Sequence, residues 1–113
     1  MGKFLLCCGA VLIAGSSVPA TASPATTEAA LIDHLSGGWV DAQLRVTLAN
    51  VPLSNPDSCP AADGYITSPA DPGSELFNSM LLSAYLSSRR VVLTIAGCIV
   101  GRPRIIAVSI LPG

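Results

Sequence analysis

Charged side chains are scarce in this chain. They make up 12% of its 113 residues, and 6 Lys and Arg against 7 Asp and Glu leave a formal net charge of −1. Without a basic surplus the chain lacks the electrostatic footprint for binding nucleic-acid phosphates, so we expect no nucleic-acid partner. Half of the residues are apolar, which excludes a chain kept disordered by its charge. The length suits one domain.

Familiar catalytic and metal-binding motifs are also missing. His34 is the single histidine, and the acidic residues are scattered. The sequence contains no G-x-S-x-G motif, no glycine-rich phosphate loop and no C-x-x-C pair. His34 is either a solvated side chain or a base assembled with distant Ser and Asp side chains, and we favour the first interpretation. The sequence therefore predicts a protein that is not an enzyme and has no catalytic residue, metal or cofactor.

The first 22 residues have the composition of a secretory signal peptide. Lys3 supplies a positive charge, residues 4–14 form an apolar run of eleven, and Ala20 and Ala22 are small residues suited to a cleavage site. We predict cleavage after Ala22, with cleavage after Ala20 as the alternative. The run is too short for a membrane anchor, which needs about 20 apolar residues. We therefore expect a secreted or periplasmic protein without stable membrane insertion after cleavage.

Cleavage would leave two cysteines, Cys59 and Cys98, in the mature chain. In an oxidising compartment, an even pair in a small domain predicts one disulfide. Closing a loop of about 40 residues stabilises a fold by on the order of 4 kcal/mol in the chain-entropy treatment. The alternative is a redox-active pair, which requires close spacing such as C-x-x-C, but these two cysteines lie 39 positions apart.

The mature chain divides into a leader and a domain. Residues 23–37 begin with small and polar side chains that have little to bury, so they predict a flexible leader. Residues 38–113 form the predicted domain.

Strand patterns dominate this domain. Apolar and polar residues alternate over residues 40–48, which is typical of a half-buried antiparallel strand. Residues 50–62 are rich in Pro, Asn and Asp and predict a loop, followed by a short strand at residues 65–67. Two further strands are predicted at residues 91–96 and 105–111, where β-branched residues are frequent.

One amphipathic helix is predicted between the second and third of these strands. It begins at Asp71 or at Ser74, both suitable N-cap residues, and it ends at Arg89 and Arg90. Its apolar face is formed by Leu76, Phe77, Met80, Leu81, Ala84 and Tyr85. Together these elements predict a mainly β (β-rich α+β) domain. About five strands form a small antiparallel barrel, and the helix covers an open end.

Three apolar side chains are candidates for contact with a ligand or partner. Trp39 lies out of phase with the buried strand face, so it either stacks on a sugar or anchors an interface, or it covers the end of the barrel, which we favour. Leu82 and Leu86 lie one helical turn apart, away from the main apolar face. They either pack under a loop or form an oligomer contact.

Solvated ion pairs with nearby acids are expected for Arg45, Arg102 and Arg104.

The order of elements resembles that of small secreted OB-like domains, in particular the receptor-binding B subunits of five-subunit AB-type bacterial toxins of the subtilase-cytotoxin B-like group. The residues that carry the resemblance are Cys59, residues 81–85 and 91–98, and the closing residues 106–110. Such subunits form pentameric rings and bind host glycans in surface pockets. The resemblance therefore implies an OB-like barrel, a homopentamer and glycan binding. None of the sugar-contacting residues of that family can be placed on this chain.

The expected function is that of a secreted, non-enzymatic binding module that recognises a glycan or an extracellular protein as a homo-oligomer. The alternative is a monomeric periplasmic structural or inhibitory protein that acts through the surface loop of residues 50–62. The two differ in the number of copies in solution.

Overall fold

The computed structural model describes residues 24–38 and 41–113 and confirms a mainly β chain with one helix. The predicted signal peptide and Trp39 lie outside the described residues. No helix within these residues is long and apolar enough to cross a membrane. The described elements are, in chain order, β1 (Ala25–Thr26), β2 (Ile32–Gly37), β3 (Leu44–Leu48), β4 (Tyr65–Thr67), α1 (Ser74–Ser87), β5 (Val91–Ile99) and β6 (Arg102–Ile110).

The six described strands form one open, mixed sheet. Their order is β1-β5-β6-β4-β3-β2. β4 runs parallel to β6, and the other neighbouring strands pair antiparallel. The prediction of a closed, antiparallel barrel of about five strands is therefore wrong, because no ladder joins β1 to β2 and because one pair is parallel. β4 and β6 can be parallel because they are not consecutive strands: α1 and β5 lie between them in the chain and form the long connection that a parallel pair requires.

The segment predicted to be a flexible leader belongs to the sheet instead. Thr27, between β1 and β2, donates its backbone N–H to the carbonyl oxygen of Leu93 at 2.9 Å, and its hydroxyl accepts the Leu93 N–H at 3.0 Å. A bulge between Ile32 and His34 interrupts the pairing of β2 with β3. Buried Ile32 and core-packed Leu35 therefore lie three positions apart, and this spacing conceals the strand period of two.

Residues close together in the chain pair at opposite edges of the sheet. Ala30 pairs with Val91 at one edge, Ile32 pairs with Leu48 at the other, and Leu31 alone lies between them. Since two residues of extended chain span about 7 Å, the sheet must curl until its edges approach each other. The curled sheet and α1 enclose a cluster of buried residues: Ile32, Val46, Tyr65, Leu81, Ala84, Val91, Leu93, Ile95 and Ile105.

Helix α1 buries a narrower face than the sequence predicts. It begins at Ser74 and ends at Ser87. The N-cap is Gly73, so neither predicted N-cap, Asp71 or Ser74, caps the helix, and the predicted end at Arg89 and Arg90 lies beyond its last turn. Leu81 and Ala84 are buried, but Leu76 and Tyr85, which the pattern places on the buried face, are exposed. The helix meets one face of the sheet, at β2, β4 and β6. A one-sided contact of this kind covers only a narrow stripe of a helix.

The predicted disulfide between Cys59 and Cys98 is present, with a Cα–Cα distance of 5.7 Å. It ties the loop of residues 50–62, which contains no strand or helix, to β5. Beside it, the carboxylate of Asp57 accepts the backbone N–H of Gly97 at 2.8 Å. Because disulfides persist in oxidising environments, this bond indicates an extracellular or periplasmic location.

Candidate functional site

A cleft of about 450 Å³ lies beside the connection from β2 to β3 and the two-residue turn from β5 to β6. The volume falls within the range of about 300–1,000 Å³ that is usual for small-molecule sites. Its walls combine hydrogen-bond donors, hydrogen-bond acceptors and apolar surface. The lining residues that matter most for its chemistry are Ser36, Asp41, Gln43, Arg45, Val100 and Arg102.

Asp63 links the two guanidinium groups of the cleft. Arg102 donates from Nε to Oδ1 at 2.5 Å and from Nη2 to Oδ2 at 3.2 Å. Arg45 donates from Nη1 to Oδ2 of the same carboxylate at 3.2 Å. Arg102 also donates from Nη1 to the carbonyl oxygen of Val100 at 3.0 Å. Arg102 is therefore held along two sides of its guanidinium plane, whereas Arg45 touches Asp63 at one corner and can turn its other donors toward a ligand.

These ion pairs shift the pKa of both partners. The hydrogen bond from Arg102, helped by the charges of Arg102 and Arg45, holds the pKa of the Asp63 carboxyl below its ordinary value. The same hydrogen bond raises the pKa of the Arg102 guanidinium. Both groups are therefore charged at neutral pH. Because the Asp63 side chain is more than half exposed, solvent screens the pairs and keeps their contribution to stability small.

The substitution Asp63→Asn should lower the melting temperature at neutral pH but not in strong acid. A folded-state pKa below the unfolded value means that ionised Asp63 stabilises the fold above an unfolded pKa of about 4. That stabilisation disappears as the pH falls through the lower folded pKa. Thermal unfolding of the wild type and the variant from about pH 7 to about pH 2 tests this. Asp33→Asn, at an exposed position of β2, is the matched control. A difference that stays constant over the whole pH range would contradict the assignment.

The turn from β5 to β6 is strained where it borders the cleft. Val100 and Gly101 have φ angles of 50° and 75°, and a two-residue hairpin turn of type I′ requires positive φ at both positions. Glycine adopts this conformation freely, but for a β-branched residue such as Val100 it costs on the order of 1–2 kcal/mol. Val100 is also 60% exposed, so burial does not account for its conformation. Strain of this kind is typical of binding and catalytic sites.

The disulfide helps to position this part of the molecule. Ala61 donates its backbone N–H to the carbonyl oxygen of Gly101 at 2.7 Å. Ala61 lies two residues after Cys59 and two residues before Asp63. The covalent bond to Cys98 and this hydrogen bond therefore hold the segment that carries Asp63 against the turn from β5 to β6.

The apolar candidates from the sequence do not converge on the cleft. Trp39 lies outside the described residues, so its role stays a prediction, although its neighbours Gly38 and Asp41 line the cleft. Leu82 and Leu86 are 48% and 73% exposed on α1, and neither lines the cleft. At that exposure Leu86 is not packed under a loop of the described chain. An oligomer contact through these two leucines stays a prediction.

Sequence reasoning missed that two arginines share one carboxylate at the cleft. The ion pairs themselves are confirmed, and they include one between Arg104 and Asp71 at 2.8 Å. Arg45 and Arg102 lie far apart in the chain and meet because β4 alone separates their strands in the sheet. Two features of the sequence pointed to this site. Arg45 lies on the polar face of an alternating strand, and a glycine immediately precedes Arg102.

Over residues 24–38 and 41–113, no group of three or more His, Cys, Asp or Glu side chains is arranged to hold a metal ion. Comparison of the chain with protein-family models, curated proteins and solved structures finds no match. The geometry of the cleft therefore carries the functional inference.

Proposed function

We propose that the protein is an exported, non-enzymatic binding module whose ligand, a glycan, occupies the cleft. The observation that carries this proposal is the pair of guanidinium groups that Asp63 holds beside open space. Donors that are held in place before binding lose little conformational freedom when a ligand arrives, and this favours affinity. Mixed polar and apolar walls also suit a ligand that has both hydroxyl groups and C–H surface.

The order of the strands supports the OB-like part of the proposed resemblance. β1 and β2 are two parts of one N-terminal segment, β4 and β6 are parallel, and α1 lies between β4 and β5. OB domains are partly open barrels that bind oligosaccharides or oligonucleotides near the loops joining the first two and the last two strands. Of the corresponding connections here, the one between β2 and β3 contributes Gly38, Asp41 and Gln43 to the cleft, and the one between β5 and β6 contributes Val100.

Export and oligomerisation complete the proposal. Export is supported by the signal-like composition of residues 1–22 and by the disulfide, which needs an oxidising compartment. A homopentamer is implied by the resemblance, and the exposed Leu82 and Leu86 offer an apolar surface for subunit contact. Light scattering of the mature chain measures its molar mass in solution. A pentamer should have five times the mass of one subunit.

The substitution Arg45→Gln should weaken glycan binding about tenfold or more while the protein stays folded. A hydrogen bond to a charged group contributes about 1.5–3 kcal/mol, which corresponds to at least a tenfold change in dissociation constant. Within the protein, the substitution removes one hydrogen bond to an exposed carboxylate. The mature chain is first applied to an array of immobilised glycans, and the affinity for each glycan that binds is then measured by calorimetry.

Arg90→Gln is the matched control, because Arg90 is exposed beyond the end of α1 and does not line the cleft. It should bind like the wild type. If no glycan binds the folded wild type, or if Arg45→Gln binds as well as the wild type does, the cleft is not a glycan site. A monomeric mass together with absent binding would favour the structural or inhibitory protein acting through residues 50–62.

A further inference from the structure

We infer that the ligand of the cleft is an uncharged saccharide and not an acidic one. This inference rests on the proposed function and adds the chemical class of the ligand. It follows from the balance of charge at the cleft and from the kinds of hydrogen bond that its walls can make.

Positive and negative groups at the cleft are equal in number. Arg45 and Arg102 line it together with Asp41, and Asp63 contacts both guanidinium groups. A carboxylate, sulfate or phosphate group on a ligand would compete with Asp63 for the same donors and would approach the charge of Asp41. Like-charge contact of this kind disfavours a partner. An uncharged ligand leaves the pairs of Asp63 intact.

The remaining polar groups match hydroxyl groups, which both donate and accept hydrogen bonds. Arg45 provides donors only, and the carboxylate of Asp41 provides acceptors only. The amide of Gln43 and the hydroxyl of Ser36 provide both. Neighbouring hydroxyls of a sugar ring can therefore accept from Arg45 and donate to Asp41 at the same time. An anionic group has no proton to donate to Asp41.

The cleft also presents apolar surface to the C–H face of a sugar ring. Val100 extends an exposed isopropyl group from the strained turn between β5 and β6. Placing apolar ligand surface against this side chain removes both from water. The strained turn therefore presents an apolar side chain to the ligand. Such a side chain favours the C–H face of a neutral ring over an ionised group.

Matched pairs of oligosaccharides test this inference. Each pair shares one neutral core, and the second member carries an added carboxylate or sulfate group. Calorimetry with the wild-type mature chain should give neutral members at least about tenfold tighter binding. Their affinity should change less than about twofold between about 50 mM and about 500 mM NaCl, because screening weakens only interactions between charges.

Asp41→Asn provides a second, independent measurement. The variant should bind neutral members about tenfold more weakly, because a neutral amide oxygen replaces the charged acceptor, and it should bind acidic members more tightly than the wild type does. Asp33→Asn, which removes the same charge outside the cleft, should leave both affinities unchanged. Thermal unfolding of each variant shows whether its fold is retained.

The possible results separate this inference from the proposed function. If acidic members bind more tightly than neutral ones, and if added salt weakens that binding, the inference is overturned while the cleft remains a glycan site. Neutral binding that Asp41→Asn leaves unchanged would also overturn it. If the folded chain binds neither member of any pair, the proposed function itself fails.

Discussion

Replacing Cys59 and Cys98 together by serine is expected to lower the melting temperature by about 15–30 °C. The bond joins residues 39 positions apart, and losing a cross-link over such a loop costs on the order of 4 kcal/mol in the chain-entropy treatment. A domain of this size loses about 4–8 °C per kcal/mol. Thermal unfolding of the mature chain, followed by circular dichroism with and without dithiothreitol, measures the effect.

The serine variant is its own control for the reductant, because dithiothreitol should not change its melting temperature. Reduction of the wild type should reproduce most of the loss, and glycan binding should weaken as the segment carrying Asp63 is released. A wild-type melting temperature that reduction leaves unchanged would show that the bond contributes nothing to stability. Loss of stability without loss of binding would show that the cleft does not depend on the bond.

The second large effect is expected for Leu81→Ala in α1, at about 2–5 kcal/mol of destabilisation. Leu81 is fully buried, so truncation removes apolar contacts and leaves a cavity in the core. Leu76→Ala is the matched control on the same helix, because Leu76 is not part of the proposed subunit contact. Leu76 is 62% exposed, and surface substitutions usually change stability by about 0.5 kcal/mol or less. Urea unfolding of the wild type and both variants measures the difference.

Similar losses for the two substitutions would contradict the observed orientation of α1. Leu86→Ala is a separate variant that tests the oligomer contact predicted for Leu82 and Leu86. A loss of stability that grows with protein concentration would show that Leu86 is covered in an oligomer, because stability that depends on assembly depends on concentration.

The short strand and the helix were predicted well from local pattern, whereas the alternation over residues 40–48 corresponds to a strand only over Leu44–Leu48. The short strand at residues 65–67 has the bounds of β4, and the helix lies where its apolar repeat places it. β5 and β6 extend toward each other beyond the predicted strands, up to the turn at Val100 and Gly101. Pairing across the turn recruits Arg102 and Pro103 into β6, which their own strand propensity does not predict.

The N-terminal strands and the site were not predicted because they depend on distant partners. Leu31, Ile32 and Leu35 are the only large apolar side chains in residues 24–37, and β2 also contains a bulge, so no period of two is visible. The hydrogen bonds that define β1 and β2 come from β5 and β3. Likewise, the pairing of Arg45 with Arg102 through Asp63 is a contact between strands and a loop that the sequence does not place together.

The sequence by itself determined the properties that depend on neighbouring residues or on composition. These are the predominance of strands, one helix, the pairing of Cys59 with Cys98, and a formal net charge of −1. Tertiary structure alone decided that the sheet stays open with one parallel pair, that only a narrow stripe of α1 is buried, and that Asp63 joins two arginines beside a cleft. The reason is physical. Local periodicity and propensity act over a few residues, whereas sheet register, burial and ion pairing depend on which distant segments the folded chain brings into contact.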